Sequence, residues 1–205
     1  MLGLYYGPGA CSMASHIVLE ESGEKYEPLK MDLSKGEQRT AEYLKKNPLG
    51  RVPLLRLDSG EHLAENTAIL PYLGKRFRLW PADPLAEAKA LSLIGFFATS
   101  VHPAHAHVGR PERYTADQSA FPGIKDMGLK TFHGYLKQID GMLAGREWFG
   151  DSYSVLDPYG LVFYVWGVRR ELPVSELKNY TAFKDRMLKR PATGRVLEDE
   201  KVKLN

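Results

Sequence analysis

The single cysteine of the chain lies where reactive chemistry is most expected. Cys11 follows the turn residues Gly7, Pro8 and Gly9 and precedes Ser12, where an alternating strand pattern gives way to a helical one. A helix N-terminus presents unpaired N–H groups and the positive end of the helix dipole, which favour a thiolate. A lone cysteine cannot form an internal disulfide, so redox chemistry would need a second thiol from outside. The alternative is a buried structural cysteine.

The residues after Cys11 limit what this thiol could do. The segment Cys11-Ser12-Met13-Ala14 has the spacing of a Cys-x-x-Cys redox motif but lacks the second cysteine. A mixed disulfide could form there but could not be resolved internally. Ser12 has two candidate roles, a hydrogen bond to a bound thiolate or the N-cap of the helix.

Two further segments carry signals of ligand binding. Pro53 opens a strand pattern, and a cis Val52–Pro53 bond would turn the Val52 backbone outward, where a peptide-like ligand could pair with it. Glu65 and Asn66 open a helix. Capping and dipole complementarity explain them without a ligand. The functional alternative is a zwitterion, with its ammonium on Glu65 and its carboxylate on Asn66 and free N–H groups.

Alternating strands and helices position these residues in the first third of the chain. The patterns predict a strand over 2–6, a helix over 12–22, an extended segment over 26–31, a helix over 40–46, a hairpin over 52–64 and a helix over 65–77. Beyond a Pro-rich segment, helices are predicted over 85–108, 116–144, 155–170 and 175–189. We therefore predict a thioredoxin-like α/β domain of order βαβαββα over 1–78, a linker over 79–84 and an all-helical domain over 85–205.

Composition excludes several classes of function. The chain has 205 residues, 26% of them charged and 43% hydrophobic, with a net charge of +3, which is typical of a globular protein. No basic stripe is interleaved with aromatic residues, so nucleic-acid binding is not expected, and the pair Arg169-Arg170 is interpreted as a solvated helix face. The longest apolar run, 161–166, is too short to span a bilayer. Without a signal-peptide pattern or cysteine pairs, the cytoplasm is the expected compartment.

Four motifs together carry a family resemblance. They are Tyr6-Gly7-Pro8-Gly9-Ala10-Cys11-Ser12, Asn47-Pro48-Leu49-Gly50-Arg51-Val52-Pro53, Glu65-Asn66-Thr67-Ala68-Ile69 and Ser154-Val155-Leu156-Asp157-Pro158. In this order and spacing the chain resembles the cytosolic glutathione transferases, and most of all the bacterial beta class. The resemblance implies a homodimer that uses glutathione as cosubstrate, holds no permanent cofactor and takes a small electrophile.

The resemblance also implies roles for individual residues. The catalytic set is Cys11, Ser12 and His102, and the glutathione-binding set is Lys35, Arg51, Val52, Pro53, Glu65, Asn66 and Thr99. Pro53 is then the family's cis proline. Departures from the family pattern are Asn66 for serine, Arg51 for glutamine, Pro103 for lysine and Gly95 for asparagine.

The electrophile and the metal alternative depend on the helical domain. Tyr5, Phe97, His105 and Tyr114 are the candidates for the electrophile site, with core packing as their alternative role. The spacing of His102 and His105 places both on one helix face, but no carboxylate or thiol is near them in sequence, so no metal is expected. The alternative for His105 and His107 is that they are surface histidines.

These observations predict a glutathione transferase that activates the glutathione thiol for attack on an electrophile. Cys11 is also predicted to form a mixed disulfide with glutathione, which would give thiol-transfer activity. Two alternatives are a glutathione-dependent disulfide reductase or peroxidase, and a non-catalytic binding protein with the same fold. Ser154 and Asp157 have capping-box spacing before an apolar helix and are assigned to folding.

Overall fold

The computed structural model describes residues 1–204, within which four strands and nine α-helices form. The elements are β1 (Gly3–Tyr6), α1 (Met13–Ser22), β2 (Glu27–Lys30), α2 (Ala41–Lys46), β3 (Leu54–Arg56), β4 (His62–Ala64), α3 (Asn66–Arg76), α4 (Pro84–Phe96), α5 (His102–Gly109), α6 (Phe121–Met142), α7 (Leu156–Arg169), α8 (Lys178–Leu188) and α9 (Pro191–Asp199). A π-helical turn, Phe97–Val101, joins α4 to α5. The predicted order βαβαββα followed by helices is confirmed.

The four strands form one mixed sheet in the order β2-β1-β3-β4. Strand β1 pairs in parallel with β2 and antiparallel with β3, and β3 pairs antiparallel with β4. The alternation of Leu2, Leu4 and Tyr6 places all three side chains in the core. The loop after β1 therefore leaves the centre of the sheet, which fixes where Cys11 begins.

Two helices that are buried on every side over most of their length connect the sheet to the helical domain. Helix α1 is buried from Met13 to Leu19, and α7 is buried from Leu156 to Gly167. A helix buried on all faces needs neighbouring elements to cover each of them. Helix α1 packs against α3, α7 and α9. The cysteine at its start is thereby backed by helices from the second half of the chain.

The helical domain differs from the sequence prediction in three places. The helix predicted over 85–108 is divided by the π-helical turn, and α6 begins at Phe121 because short 3₁₀ turns occupy the residues before it. Helix α9 was not predicted, although Pro191 stands in its first turn, a favoured position for proline.

Asp157 closes the loop that precedes α7. Its carboxylate is fully buried and accepts hydrogen bonds from the Phe149 N–H at 3.0 Å and the Ser154 N–H at 2.8 Å. The Ser154 hydroxyl accepts in turn from the Leu156 N–H at 3.3 Å. This is the reciprocal pairing that capping-box spacing predicts.

We expect Asp157→Ala to lower the free energy of unfolding by about 3 kcal/mol, because two buried N–H groups lose their acceptor. Urea unfolding followed by circular dichroism measures the change. Asp157→Asn keeps one carbonyl acceptor and should lose less. Asp151→Ala, in the same loop but exposed, is the matched control and should change little. A loss below about 1 kcal/mol for Asp157→Ala would contradict the assigned role.

Candidate active site

A cleft of about 810 Å³ opens between the sheet loops and the helical domain. Its lining brings together Cys11, Arg51, Val52, Pro53, Glu65, Asn66, His102, His105 and Tyr114 from the predicted sets. Helix α5 and the end of α7 form the opposite wall. Residues from three of the four predicted motifs and from both domains thus meet in one concave surface, which is the usual form of a small-molecule site.

The turn before Cys11 is held by its backbone at Gly9. The Gly9 N–H donates to Glu200 Oε2 at 2.6 Å. The Gly9 carbonyl accepts from Trp166 Nε1 and from Arg169 Nη1, each at 3.0 Å. Gly9 has φ 65°, and a Cβ there would lie 2.1 Å from the Arg169 guanidinium. Only glycine fits, so the helical domain positions the turn directly.

The environment of Cys11 corrects the expectation of an activated thiolate. Its Sγ donates to the Val52 carbonyl oxygen at 3.4 Å, a bond that needs the protonated thiol. Burial, followed by the charge of Glu65, raises the pKa of Cys11 to about 12, and the charges of Arg110 and Arg51 oppose this only in part. Desolvation outweighs the helix N-terminus. Cys11 is therefore a neutral S–H donor in the unliganded cleft.

Ser12 lies outside the cleft, contrary to both predicted roles. Its side chain is fully buried, and its Oγ accepts from the Gly7 N–H at 3.1 Å. It makes no side-chain capping bond to α1. Ser12 closes the Gly7–Cys11 turn from inside, so the catalytic assignment was wrong and the residue has a structural role.

Glu65 presents an unpaired carboxylate at the start of α3. Its side chain does not cap the helix, and it has no hydrogen-bond or ion-pair partner within residues 1–204. Its backbone has φ 69°, a conformation that is strained for any residue except glycine and that recurs at functional sites. The capping interpretation of Glu65 was therefore wrong, and the carboxylate is free to bind a cation.

Asn66 uses its side chain within the protein. Its Nδ2 donates to the Cys11 carbonyl at 2.9 Å, and its Oδ1 accepts from the Ser15 hydroxyl at 2.8 Å. It thereby ties the cysteine loop to α3. Within the described residues, the N–H groups of Asn66 and Thr67, at the start of α3, have no backbone acceptor and remain available for an anion.

The Val52–Pro53 bond is cis, as the family resemblance implied. Both residues precede Leu54, the first residue of β3 in the sheet register. The Arg51 carbonyl accepts from Tyr43 Oη at 2.6 Å and from Asn47 Nδ2 at 2.8 Å. These bonds hold the loop so that its edge lines the cleft beside Cys11.

His102 and His105 both pack on Trp166, with ring centroids 4.9 and 4.2 Å away. Burial and the charges of nearby arginines lower the pKa of His102 to about 4 and that of His105 to about 3. Both rings are therefore neutral at pH 7. The surface interpretation of His105 and His107 was wrong, since the His107 ring stacks on Tyr114 at 3.7 Å and its Nδ1 donates to the Pro103 carbonyl.

Besides Ser12, four predicted site residues lie away from the cleft. Lys35 is exposed and lies 3.6 Å from the Asp32 carboxylate. Phe97 is fully buried in the core, and Tyr5 packs against Tyr43. Thr99 faces a second cavity between α5 and α6, because the π-helical turn widens the helix and places Ala98 on the cleft side.

Sequence reasoning missed a set of residues on the cleft wall. They are Arg110, Arg113, Tyr159, Trp166, Arg169 and Arg170. Arg169 bonds to Gly9, and Arg170 Nε donates to His105 Nε2 at 3.2 Å, so the solvated-face interpretation of this pair was wrong. Tyr159, Trp166 and Arg170 recur at helical spacing along α7, which was the available signal.

The described residues contain no group of three or more side chains placed to hold a metal ion. Across residues 1–204, every helix is too short or too polar to cross a bilayer.

A model of the glutathione S-transferase N-terminal domain matches residues 1–75. Glutathione S-transferase GstA of Escherichia coli O157:H7 is 31% identical over 206 residues, which covers 98% of this chain and 99% of the relative. The chain therefore belongs to the glutathione S-transferase family. It is a glutathione transferase.

Two solved structures show which group of glutathione transferases this chain resembles. A Sulfitobacter glutathione transferase homologue with bound glutathione superimposes with a TM-score of 0.92 at 31% identity, over 99% of each chain. The bacterial beta class enzyme of Sphingomonas chungbukensis has a TM-score of 0.86 at 30% identity, over 98% of this chain and all of that one. The resemblance to bacterial glutathione transferases is confirmed.

Proposed function

We propose that glutathione binds along the wall of the cleft formed by Cys11, Val52 and Glu65. The observation that carries this assignment is the unpaired Glu65 carboxylate beside the N-terminus of α3. Glu65 would hold the ammonium of the γ-glutamyl group, and the first N–H groups of α3 would hold its carboxylate. The Val52 backbone would pair with the cysteinyl residue, and Arg51 would bind the glycyl carboxylate in place of the distant Lys35.

The proposed mechanism is electrostatic stabilisation of the glutathione thiolate. Cys11, as a neutral S–H group, would donate a hydrogen bond to the glutathione sulfur in place of the Val52 carbonyl. Neutral His102 adds a second polar group, and Arg51 and Arg110 supply positive charge. The glutathione thiol loses its proton to solvent. The thiolate then forms a carbon–sulfur bond with the electrophile, whose bond to the leaving group breaks, so that a leaving anion such as fluoride departs to solvent with the electron pair.

We expect Glu65→Gln to weaken glutathione binding by about tenfold, because a charge-assisted hydrogen bond to the ammonium becomes a neutral one. Isothermal titration calorimetry measures the affinity. A glutathione analogue without the γ-glutamyl amino group makes the test specific. The native protein should bind this analogue more weakly than glutathione, whereas Glu65→Gln should bind both about equally.

The matched control is Glu61→Gln, an exposed carboxylate on the neighbouring hairpin, which should bind glutathione as the native protein does. An equal preference for the amino group in the native protein and in Glu65→Gln would overturn the assignment of Glu65.

Thiol transfer through Cys11 is a second proposal, favoured by the position of the thiol in the cleft. Its first step is attack of the Cys11 thiolate on oxidised glutathione, with release of one glutathione thiolate and formation of a mixed disulfide. The raised pKa slows this step at neutral pH. Intact mass after treatment with oxidised glutathione, compared with Cys11→Ala, tests it, and no adduct on the native protein would exclude it.

We also propose a homodimer and a cytoplasmic location, both carried over from the family. Light scattering coupled to size exclusion measures the mass in solution, and a monomer across the working concentration range would contradict the dimer. Fractionation of the producing cells tests the compartment.

A further inference from the structure

Five arginines line the cleft without a carboxylate partner. Arg51, Arg110, Arg113, Arg169 and Arg170 all face it. Within residues 1–204, none of the five forms an ion pair. Outside the cleft, Arg56, Arg76, Arg190 and Arg195 each form an ion pair with a carboxylate. Glu65 is the one acidic residue of the described lining.

The guanidinium groups are close enough to repel one another. Partial burial and the charges of Arg110, Arg51 and Arg39 lower the pKa of Arg113. Partial burial and the charge of Arg110 lower the pKa of Arg170. A cluster of like charges in a partly desolvated cleft is destabilising unless an anion occupies it.

Glutathione alone does not neutralise this cluster. With its thiol ionised, glutathione has two carboxylates, one thiolate and one ammonium, so its net charge is −2. Five guanidinium groups against the single Glu65 carboxylate therefore retain an excess of about two positive charges after glutathione binds. The neutral His102 and His105 do not alter this balance.

The excess charge lies on the helical wall of the cleft, where the electrophile must bind. Arg110 and Arg113 follow α5, and Arg170 follows α7. Neutral His105 accepts from Arg170 Nε, which positions that guanidinium and leaves its Nη groups for a ligand. The planar fork of arginine matches the two oxygens of a carboxylate.

We propose that the second substrate is a small electrophile that bears a carboxylate, bound by Arg110, Arg113 and Arg170. The inference rests on the proposed function, since it assumes that glutathione occupies the Cys11–Val52–Glu65 wall. Arg51 is not included because it is assigned to the glycyl carboxylate of glutathione. Arg169 is not included because it donates to the Gly9 carbonyl. His105 is a positioning residue for Arg170.

The test compares two glutathione conjugates that differ only in charge. One carries a nitrobenzoate on sulfur and the other carries the corresponding nitrobenzamide. Calorimetry should show the carboxylate conjugate binding about tenfold more tightly, with the difference falling as salt is added. Equal affinities, or a difference that salt does not change, would overturn the proposal. This comparison uses the native protein and does not require catalysis.

Single substitutions show which arginines cause the preference for the carboxylate conjugate over the amide conjugate. Arg113→Gln should reduce the preference for the carboxylate by at least threefold, with the affinity for the amide unchanged. Arg110→Gln should also reduce this preference by at least threefold. Lys125→Gln removes an exposed charge away from the cleft and should leave the preference intact. A preference that survives both arginine substitutions would overturn the assignment to this wall.

Measurements of turnover distinguish a failure of this inference from a failure of the proposed function. Conjugation of fluoronitrobenzoate and of fluoronitrobenzamide is measured against the uncatalysed rates, and the benzoate should show the larger kcat/KM. Equal acceleration of the two would overturn the inference but leave the transferase mechanism standing. If neither is accelerated while the carboxylate conjugate still binds more tightly, the mechanism fails and the inference about binding holds.

Discussion

At pH 7.5, Cys11 is expected to react with iodoacetamide roughly a hundredfold more slowly than an unstructured cysteine. A thiol whose pKa is about 12 is ionised to only about three parts in 100,000 at this pH, against about one part in ten for an ordinary cysteine. The more basic thiolate is more nucleophilic, which recovers a factor of about forty. The logarithm of the rate should rise linearly with pH to about 10 without a plateau. Intact mass follows the reaction, since Cys11 is the sole cysteine.

The pH dependence separates ionisation from steric protection. A buried thiol with an ordinary pKa would react slowly at every pH, but its rate would still level off near pH 9. The same chain unfolded in urea is the matched control and should show that plateau. A plateau below pH 8 in the folded protein would contradict the protonated Cys11 and restore the expectation of a thiolate.

Because Cys11 is protonated, its sulfur and the sulfur of bound glutathione would have different roles in the cleft. In the proposed mechanism, the sulfur of glutathione is the nucleophile, and Cys11 is the group that stabilises it. The Val52 carbonyl is the resting acceptor of the S–H group, so the bond can transfer to glutathione without deprotonating Cys11. This arrangement favours conjugation over thiol transfer at neutral pH.

Substitution of Glu200 by alanine is expected to lower the free energy of unfolding by about 3 kcal/mol, because two buried hydrogen-bonding groups lose their partner. Glu200 Oε1 lies 2.8 Å from His16 Nδ1, with both side chains buried. Its Oε2 accepts from the Gly9 N–H. Alanine leaves both groups without a partner and opens a cavity behind the cysteine turn. The melting temperature should fall by about 10 °C for a chain of this length.

The same variant should weaken glutathione binding, because Pro8, Gly9 and Ala10 line the cleft and depend on Glu200 for their position. Glu200→Gln retains an acceptor for Gly9 and should lose less on both measures. Glu198→Ala, exposed on the same helix, is the control. If Glu200→Ala melts within about 2 °C of the native protein, Glu200 does not hold the turn.

Local rules predicted most of the sheet domain. The alternation of Leu2, Leu4 and Tyr6 and the left-handed Gly23 at the end of α1 are local signals, so they could be interpreted without knowing the fold. The positions of Cys11, Glu65 and Val52 in one cleft followed from the family's motifs. Their energetic state did not, because the pKa of Cys11 depends on burial by residues far away in sequence.

The residues that the helical domain contributes to the cleft wall were harder to predict from the sequence. Arg169 and Arg170 have the composition of a solvated helix face, and only the tertiary packing of α7 against α1 brings them to the Gly9 carbonyl and to His105. The π-helical turn changed which side chain lies below His102, so helical spacing placed Thr99 where Ala98 stands. A single extra residue in a turn cannot be inferred from periodicity.

The contact between Gly9 and Glu200 has a consequence for how the protein is made. The two residues are 191 positions apart, and a ribosome synthesises the cysteine turn long before the carboxylate that holds it. Domains begin to fold during synthesis, from the N-terminal end. The sheet can therefore form early. The turn that contains Gly9 can gain its hydrogen bond to Glu200 only after α9 has packed against the sheet domain. A nascent chain stopped before Glu200 would contain every glutathione-binding residue and still lack an ordered cleft.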